Sequence, residues 1–241
     1  MAEKLSAPSS GSTPEPPPGL TPERYPSTIL TRILFTLRMI WEFTESNFNT
    51  FVLPNSAFGL FGAVAESLLA EEPGSASFIT GGSRPDLIEI LWRAPVIVAF
   101  NWYSVLIFDL SNQRSPESVQ EDLVNKPWRP IPTGKVTPEQ TRKALLVAIP
   151  AVIAANYALG VWKEGVFILV LTWFYNDLRG CDEVYRDVIL AFAFGFYNSG
   201  SLQLAFGGYS GATMSMQAYI WTAIISGMIL TTMQVSSRSE T

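Results

Sequence analysis

The residues of this chain that could do chemistry gather in one polar stretch, FDLSNQRSPESVQEDLVNKPWRPIPTGKVT. Asp109 and Asn112 stand three apart, so a helix places them on one face. Glu121 and Asp122 follow after a short polar insertion, and then come Lys126 and Arg129. Acidic groups at the end of a membrane helix are costly unless paired, hydrated or bound to a cation. Carboxylates flanked by cations suit a magnesium-bridged diphosphate. Asp109, Asn112, Glu121 and Asp122 would hold the Mg2+, and Lys126 and Arg129 would neutralise the remaining phosphate charge. The same spacing also fits a solvated loop with a helix cap and a salt bridge.

Composition removes several other chemistries. The 241 residues contain no histidine and one cysteine, Cys181. That excludes a Ser-His-Asp triad, an HExxH zinc site, an internal disulfide framework and a CxxC cluster. A net charge of -5 argues against a general nucleic-acid binder.

The elements that must position the polar stretch are apolar. Only 15% of residues are charged, against about 25% in average proteins, and the mean hydropathy is +0.22. Six stretches approach the roughly 20 helical residues that cross a hydrocarbon core. They are Phe48–Ala70, Leu91–Leu110, Ala144–Trp162, Gly165–Tyr175, Val188–Phe206 and Gln217–Val235, the third and fourth forming a tight hairpin at Lys163-Glu164. With the N-terminus in the cytoplasm, 13 of the 16 Lys and Arg residues fall on that side, and only Arg84, Arg93 and Lys163 on the other. The positive-inside rule expects that asymmetry. The expected fold is therefore an all-α membrane protein of six transmembrane helices, over residues 48–235, with a short polar tail at 236–241. Residues 1–26 are rich in Pro, Ser, Gly and Thr and cannot bury a core. Within 27–47, STILTRILFTLRMIW spaces its apolar residues as an amphipathic helix at the cytoplasmic interface, or packed on the bundle.

The segment NKPWRPIPTGKVT, with Asp122 three residues before its asparagine, resembles the first aspartate-rich region of the UbiA superfamily of intramembrane prenyltransferases. The interrupted form FDxxNQ…EDxxNKPxRPxPxGxxT resembles a fungal branch that includes membrane-bound terpene cyclases. FTESNFNTFVLPNSAFGLFGA and YNDLRGCDEVYRDVILAFAFGFYNSGS are similar to other segments of that branch, so the likeness runs from about Trp41 to Val235.

The resemblance implies the first part of a UbiA-type helical bundle, resident in the endoplasmic reticulum, acting with Mg2+ on a prenyl diphosphate such as farnesyl diphosphate. Asp109, Asn112 and Asp122 would be catalytic, with Glu121 a further metal ligand. Lys126 and Arg129 would bind diphosphate together with Tyr175 and Arg179, which keep the spacing of the superfamily's YxxxK element with Arg for Lys. An ordinary helix end explains Tyr175–Arg179 equally. Phe100, Trp102, Tyr103, Trp173, Phe174 and Phe196 are candidates to face an allylic cation, or simply packing and lipid contacts. Asn198 and Ser199 could line a cavity or bond between helices.

Three functions remain open: a terpene cyclase, a transferase that moves the prenyl group to an acceptor, and a non-catalytic homologue. The third arises because the superfamily's second loop carries a DxxxD motif after the sixth span, whereas no Asp follows Asp187 here. Half a bundle would leave helix faces to be covered by lipid, a second copy or a partner subunit.

Overall fold

The computed structural model describes residues 28–69, 77–80, 85–208 and 213–239. The proline-rich tail of 1–26 and the tip of the C-terminal tail lie outside them.

Helix α1 (Ile29–Asn47) opens where the Thr28 amide donates to Thr31 Oγ1 at 3.1 Å. A π-helical turn, Phe48–Val52, carries it without a break into α2 (Leu53–Leu69). The expected interfacial helix and first span are thus parts of one rod. Helix α3 (Leu87–Gln113) starts at Asp86, whose carboxylate accepts from the Leu87 amide at 2.7 Å. Helix α4 (Pro116–Asn125) is capped by Ser115. Helix α5 (Pro138–Ala158) is capped by Thr137 and Gln140, each side chain bonding the other's backbone amide. Helix α6 (Trp162–Asn176), a short 3-10 turn at Gly180–Asp182, α7 (Arg186–Ala205) and α8 (Met216–Ser239) complete the bundle. One small antiparallel pair, β1 (Ile79–Thr80) with β2 (Thr213–Met214), ties the loop before α3 to the loop before α8.

Four helical segments are long and apolar enough to cross a membrane: Ile29–Leu68, Leu87–Gln113, Arg186–Ala205 and Met216–Met233. By that measure the expected six spans become four among the described residues. The reasons lie in α5 and α6. The first turns of α5 carry Glu139, Arg142 and Lys143, and its far end carries Asn156 and Tyr157. Helix α6 has 15 residues, about 22 Å of helix against a hydrocarbon core of about 30 Å.

Lipid gives packed helices no hydrophobic drive, so small residues and polar contacts hold them. Asn101 on α3 donates to Ser56 Oγ of α2 at 3.0 Å and to Ser201 Oγ of α7 at 2.8 Å. Farther along α3 in opposite directions, Arg93 donates to the Ala205 carbonyl and Asn47 to Asp109. These pairings make both α1–α2 and α7 antiparallel to α3. Gly59 sits against Ser201, where an added Cβ would lie 2.6 Å from the Ser201 carbonyl carbon. Gly165 lies under Asn156, whose Nδ2 would be 2.1 Å from a Cβ.

Replacing Gly59 by valine should lower stability by about 1–3 kcal/mol, the usual cost of overpacking. Thermal unfolding in detergent measures this, and an unchanged midpoint would contradict so close a crossing of α2 and α7.

Candidate functional site

The polar stretch folds as the end of α3, the amphipathic α4 and a turn-rich loop that leads into α5. Asp109 lies in the last turns of α3 and is 1% exposed. Its Oδ1 accepts from Asn47 Nδ2 at 2.5 Å, while its Oδ2 meets no donor. Asn47 immediately precedes the π turn, which re-phases the rod between α1 and α2. Lys126 and Arg129 stand close enough for their charges to act on Asp109.

One turn farther along α3, Asn112 Nδ2 donates to Asn176 Oδ1 at 3.0 Å and Gln113 Nε2 to the Phe43 carbonyl at 2.8 Å. Arg114 pairs with Asp177 just outside. These contacts latch the ends of α3, α6 and α1 together.

On α4, neighbouring residues point about 100° apart, so Glu121 and Asp122 cannot both face inward. Asp122 turns in and is 4% exposed, whereas Glu121 faces outward. Both Asp122 oxygens accept from Arg129 Nη1, at 2.9 and 2.8 Å, and Arg129 is itself buried. The pair clasps α4 to the loop that follows it.

Tyr175 stacks obliquely on Phe108, with ring centroids 5.5 Å apart. It lines a narrow cavity with Asn47, Phe51 and Tyr197, of about 20 Å³, room for one water. Arg179 does not share its face. Helix α6 ends at Asn176, and Arg179 follows in a left-handed conformation, φ 58°. A spacing of four aligns side chains only while the helix continues. Arg179 donates instead to Asp182 Oδ2 at 2.8 Å and to Glu117 Oε1 at 3.1 Å, fully in solvent. The Arg179 guanidinium holds the Asp182 carboxyl below its ordinary range. Cys181 beside it has its thiol pushed up, by burial first and then by the Asp182 charge.

The four expected magnesium ligands can be tested on this geometry. Asp109 offers one unpartnered oxygen, Asn112 donates its Nδ2 to Asn176 and keeps its Oδ1, Asp122 is held by Arg129, and Glu121 points away. No group of three Asp, Glu or Cys side chains converges on a metal position among the described residues. As folded, the set does not fit a magnesium cage.

The aromatic candidates also disperse. Phe100 fills the apolar core against Gly200, Trp102 donates to Thr44, Tyr103 to Asn156, and Phe196 stacks on Phe167. Phe174 meets Tyr185, and Trp173 is 52% exposed. The rings beside Asp109 are others: Phe51 stacks on Phe194 at 4.5 Å and neighbours Phe108 and Tyr197 at 6.5 and 6.4 Å. They come from three parts of the chain, so no local spacing announces them. Asn47 was likewise missed, although it lies in the segment FTESNFN. Asn198 and Ser199 are both buried within α7.

No family model matches this chain, and no curated protein matches it.

Removing Asp122 leaves Arg129 buried without a counter-charge. Asp122→Ala should therefore cost about 3–5 kcal/mol, and adding Arg129→Met should recover much of the loss. Thermal unfolding of the single and double variants decides it; equal destabilisation by both would show that the pair is no clasp. The Arg179–Asp182 contact has its own pH signature. Its contribution is present above the ordinary Asp range and lost as pH falls through the lowered value. Carboxyl NMR should place the Asp182 midpoint below the usual one, and Arg179→Gln should return it upward.

Proposed function

We propose that the chain is an integral membrane protein of UbiA type that binds a prenyl diphosphate and acts on it as a terpene cyclase. The observation carrying this reading is that buried Asp109 lies within the electrostatic reach of Lys126 and Arg129 at one end of an apolar bundle, within a motif that resembles a diphosphate site. Farnesyl diphosphate is the proposed substrate. Lys126 and Arg129 would offset the diphosphate charge, and Arg129 can do so only by sharing its guanidinium with Asp122. Tyr175 and Asn47 would border the reacting end. Departure of diphosphate leaves an allylic cation, which the faces of Phe51, Phe108 and Tyr197 would stabilise. Exclusion of water favours ring closure over hydrolysis, and transfer of a proton from the cyclised cation to the released diphosphate would give the neutral hydrocarbon.

A non-catalytic reading is favoured by one observation, the commitment of Asp122 to Arg129 in place of a metal. A transferase would use the same mouth with an added acceptor.

Six crossings are part of the proposal, with α5 and α6 as the third and fourth. Support comes from contacts at each end. Asn176 meets Asn112 at one end of α3, and the turn from α5 to α6 packs Val161 into the core cluster shared with Ile90 and Ile97. The N-terminus would be cytoplasmic, in the endoplasmic reticulum.

Microsomes containing the chain should release a volatile hydrocarbon from farnesyl diphosphate and magnesium without an acceptor. Asp109→Asn should abolish the product and Glu139→Ala leave it unchanged. Strict acceptor dependence would indicate the transferase, and no product in either assay the non-catalytic protein.

A further inference from the structure

A second polar site lies at the other end of the bundle, on the groove between α7 and α8. The groove has a volume of about 430 Å³, within the roughly 300–1,000 Å³ of small-molecule pockets. Its floor is smooth because Gly195 of α7 and Gly227 of α8 carry no side chains, and Phe192 and Phe196 form one wall. From Val188 to Ser199 it extends about 16 Å along α7, half the depth of a hydrocarbon core.

Five polar side chains line this groove, and three of them come from three different helices: Glu164 of α6, Ser199 of α7 and Tyr219 of α8. Glu164 is 8% exposed and Ser199 7%. The Glu164 carboxylate turns back to its own backbone amide, and no other side chain among the described residues bonds it. Among the described residues, the hydroxyls of Ser199 and Tyr219 have no hydrogen-bond partner. Tyr219 lies near enough to Glu164 to feel its charge. By contrast, Thr222 and Ser226 in the same groove are satisfied by carbonyls of α8. An acid inside a membrane protein is expensive without a partner, and residues that persist there mark ligand sites.

We infer that this groove binds a hydroxyl-headed lipid from the surrounding bilayer, its hydroxyl among Glu164, Ser199 and Tyr219 and its hydrocarbon body along α7 and α8 toward the first turn of α7. The head chemistry follows from the lining. Glu164 repels a phosphate. Lys163 lies beside Glu164 and already offsets its charge, so no cationic head is required. A hydroxyl both donates and accepts, matching a carboxylate and two hydroxyls. The polar head of the site stands apart from the diphosphate end, since Glu164 and Asn176 are separated by most of the length of α6.

The test uses the full chain in phosphatidylcholine nanodiscs with a photoactivatable hexadecanol. Cross-links should map to α7 and α8, and excess hexadecanol should compete, whereas hexadecyl phosphate and hexadecylamine should not. Glu164→Leu should weaken capture about tenfold, the loss of one hydrogen bond to a charged group. Gly227→Leu guards against a folding defect. A Cβ there meets nothing within 4 Å, so the added side chain starts into the open groove, and capture should be lost while thermal unfolding stays unchanged. Cross-links elsewhere, equal competition by the phosphate or the amine, or undiminished capture by both variants would overturn the inference.

Discussion

The polar side chains of α3 hold the bundle together, because the apolar interior of the bundle offers them no other partners. Together they reach five other elements. Asn101 bonds α2 and α7, Trp102 bonds Thr44 of α1, Tyr103 bonds Asn156 of α5, and Asn112 bonds Asn176 of α6. Gln113 bonds the Phe43 carbonyl, and Asp109 bonds Asn47. Contacts of this kind contribute about 0.6–2 kcal/mol apiece in membranes. Their joint effect is to set the register of five neighbours against one helix. Glycines then set the distances, since Gly59 and Gly165 let backbones approach where any side chain would collide.

The candidate site is a consequence of that arrangement. Asp109 is buried because α3 is the hub, and it receives Asn47 because the π turn re-phases the rod beside it. The loop after α4 folds back through Asp122 and Arg129, bringing Lys126 toward the same carboxylate. Charges that read as metal and phosphate ligands along the chain thus also hold the structure. An ion pair as buried as Asp122–Arg129 is costly to break from one side. Any anion that uses Arg129 must share it with Asp122.

The two ends of the bundle differ in chemistry. Around Asp109 there are cations, amides and aromatic rings, suited to a charged headgroup. At the opposite end, Glu66 accepts from Ser77 and from the Phe78 amide, clasping the loop before α3, and Ser215 bonds the Ser77 carbonyl from the other side. Glu164 is bonded to no other side chain among the described residues, and its place beside a smooth groove separates it from these structural acids.

The amino-acid sequence by itself determined that this is a mostly helical, apolar chain, where its polar stretch lies and where most helices begin. Those properties are local: periodicity, capping residues such as Ser115 and Thr137, and runs of apolar side chains act within a few turns. Tertiary structure alone decided which polar residues meet. Adjacent Glu121 and Asp122 look equivalent along the chain, yet a helix turns one inward and the other to solvent. Tyr175 and Arg179 share a spacing but not a helix, because α6 stops between them. The partner of Asp109 stands 62 positions away, and the three groups around the α7–α8 groove come from three helices. Such meetings depend on how whole helices cross, which Asn101 and glycines far from either site determine, and no local pattern encodes that crossing.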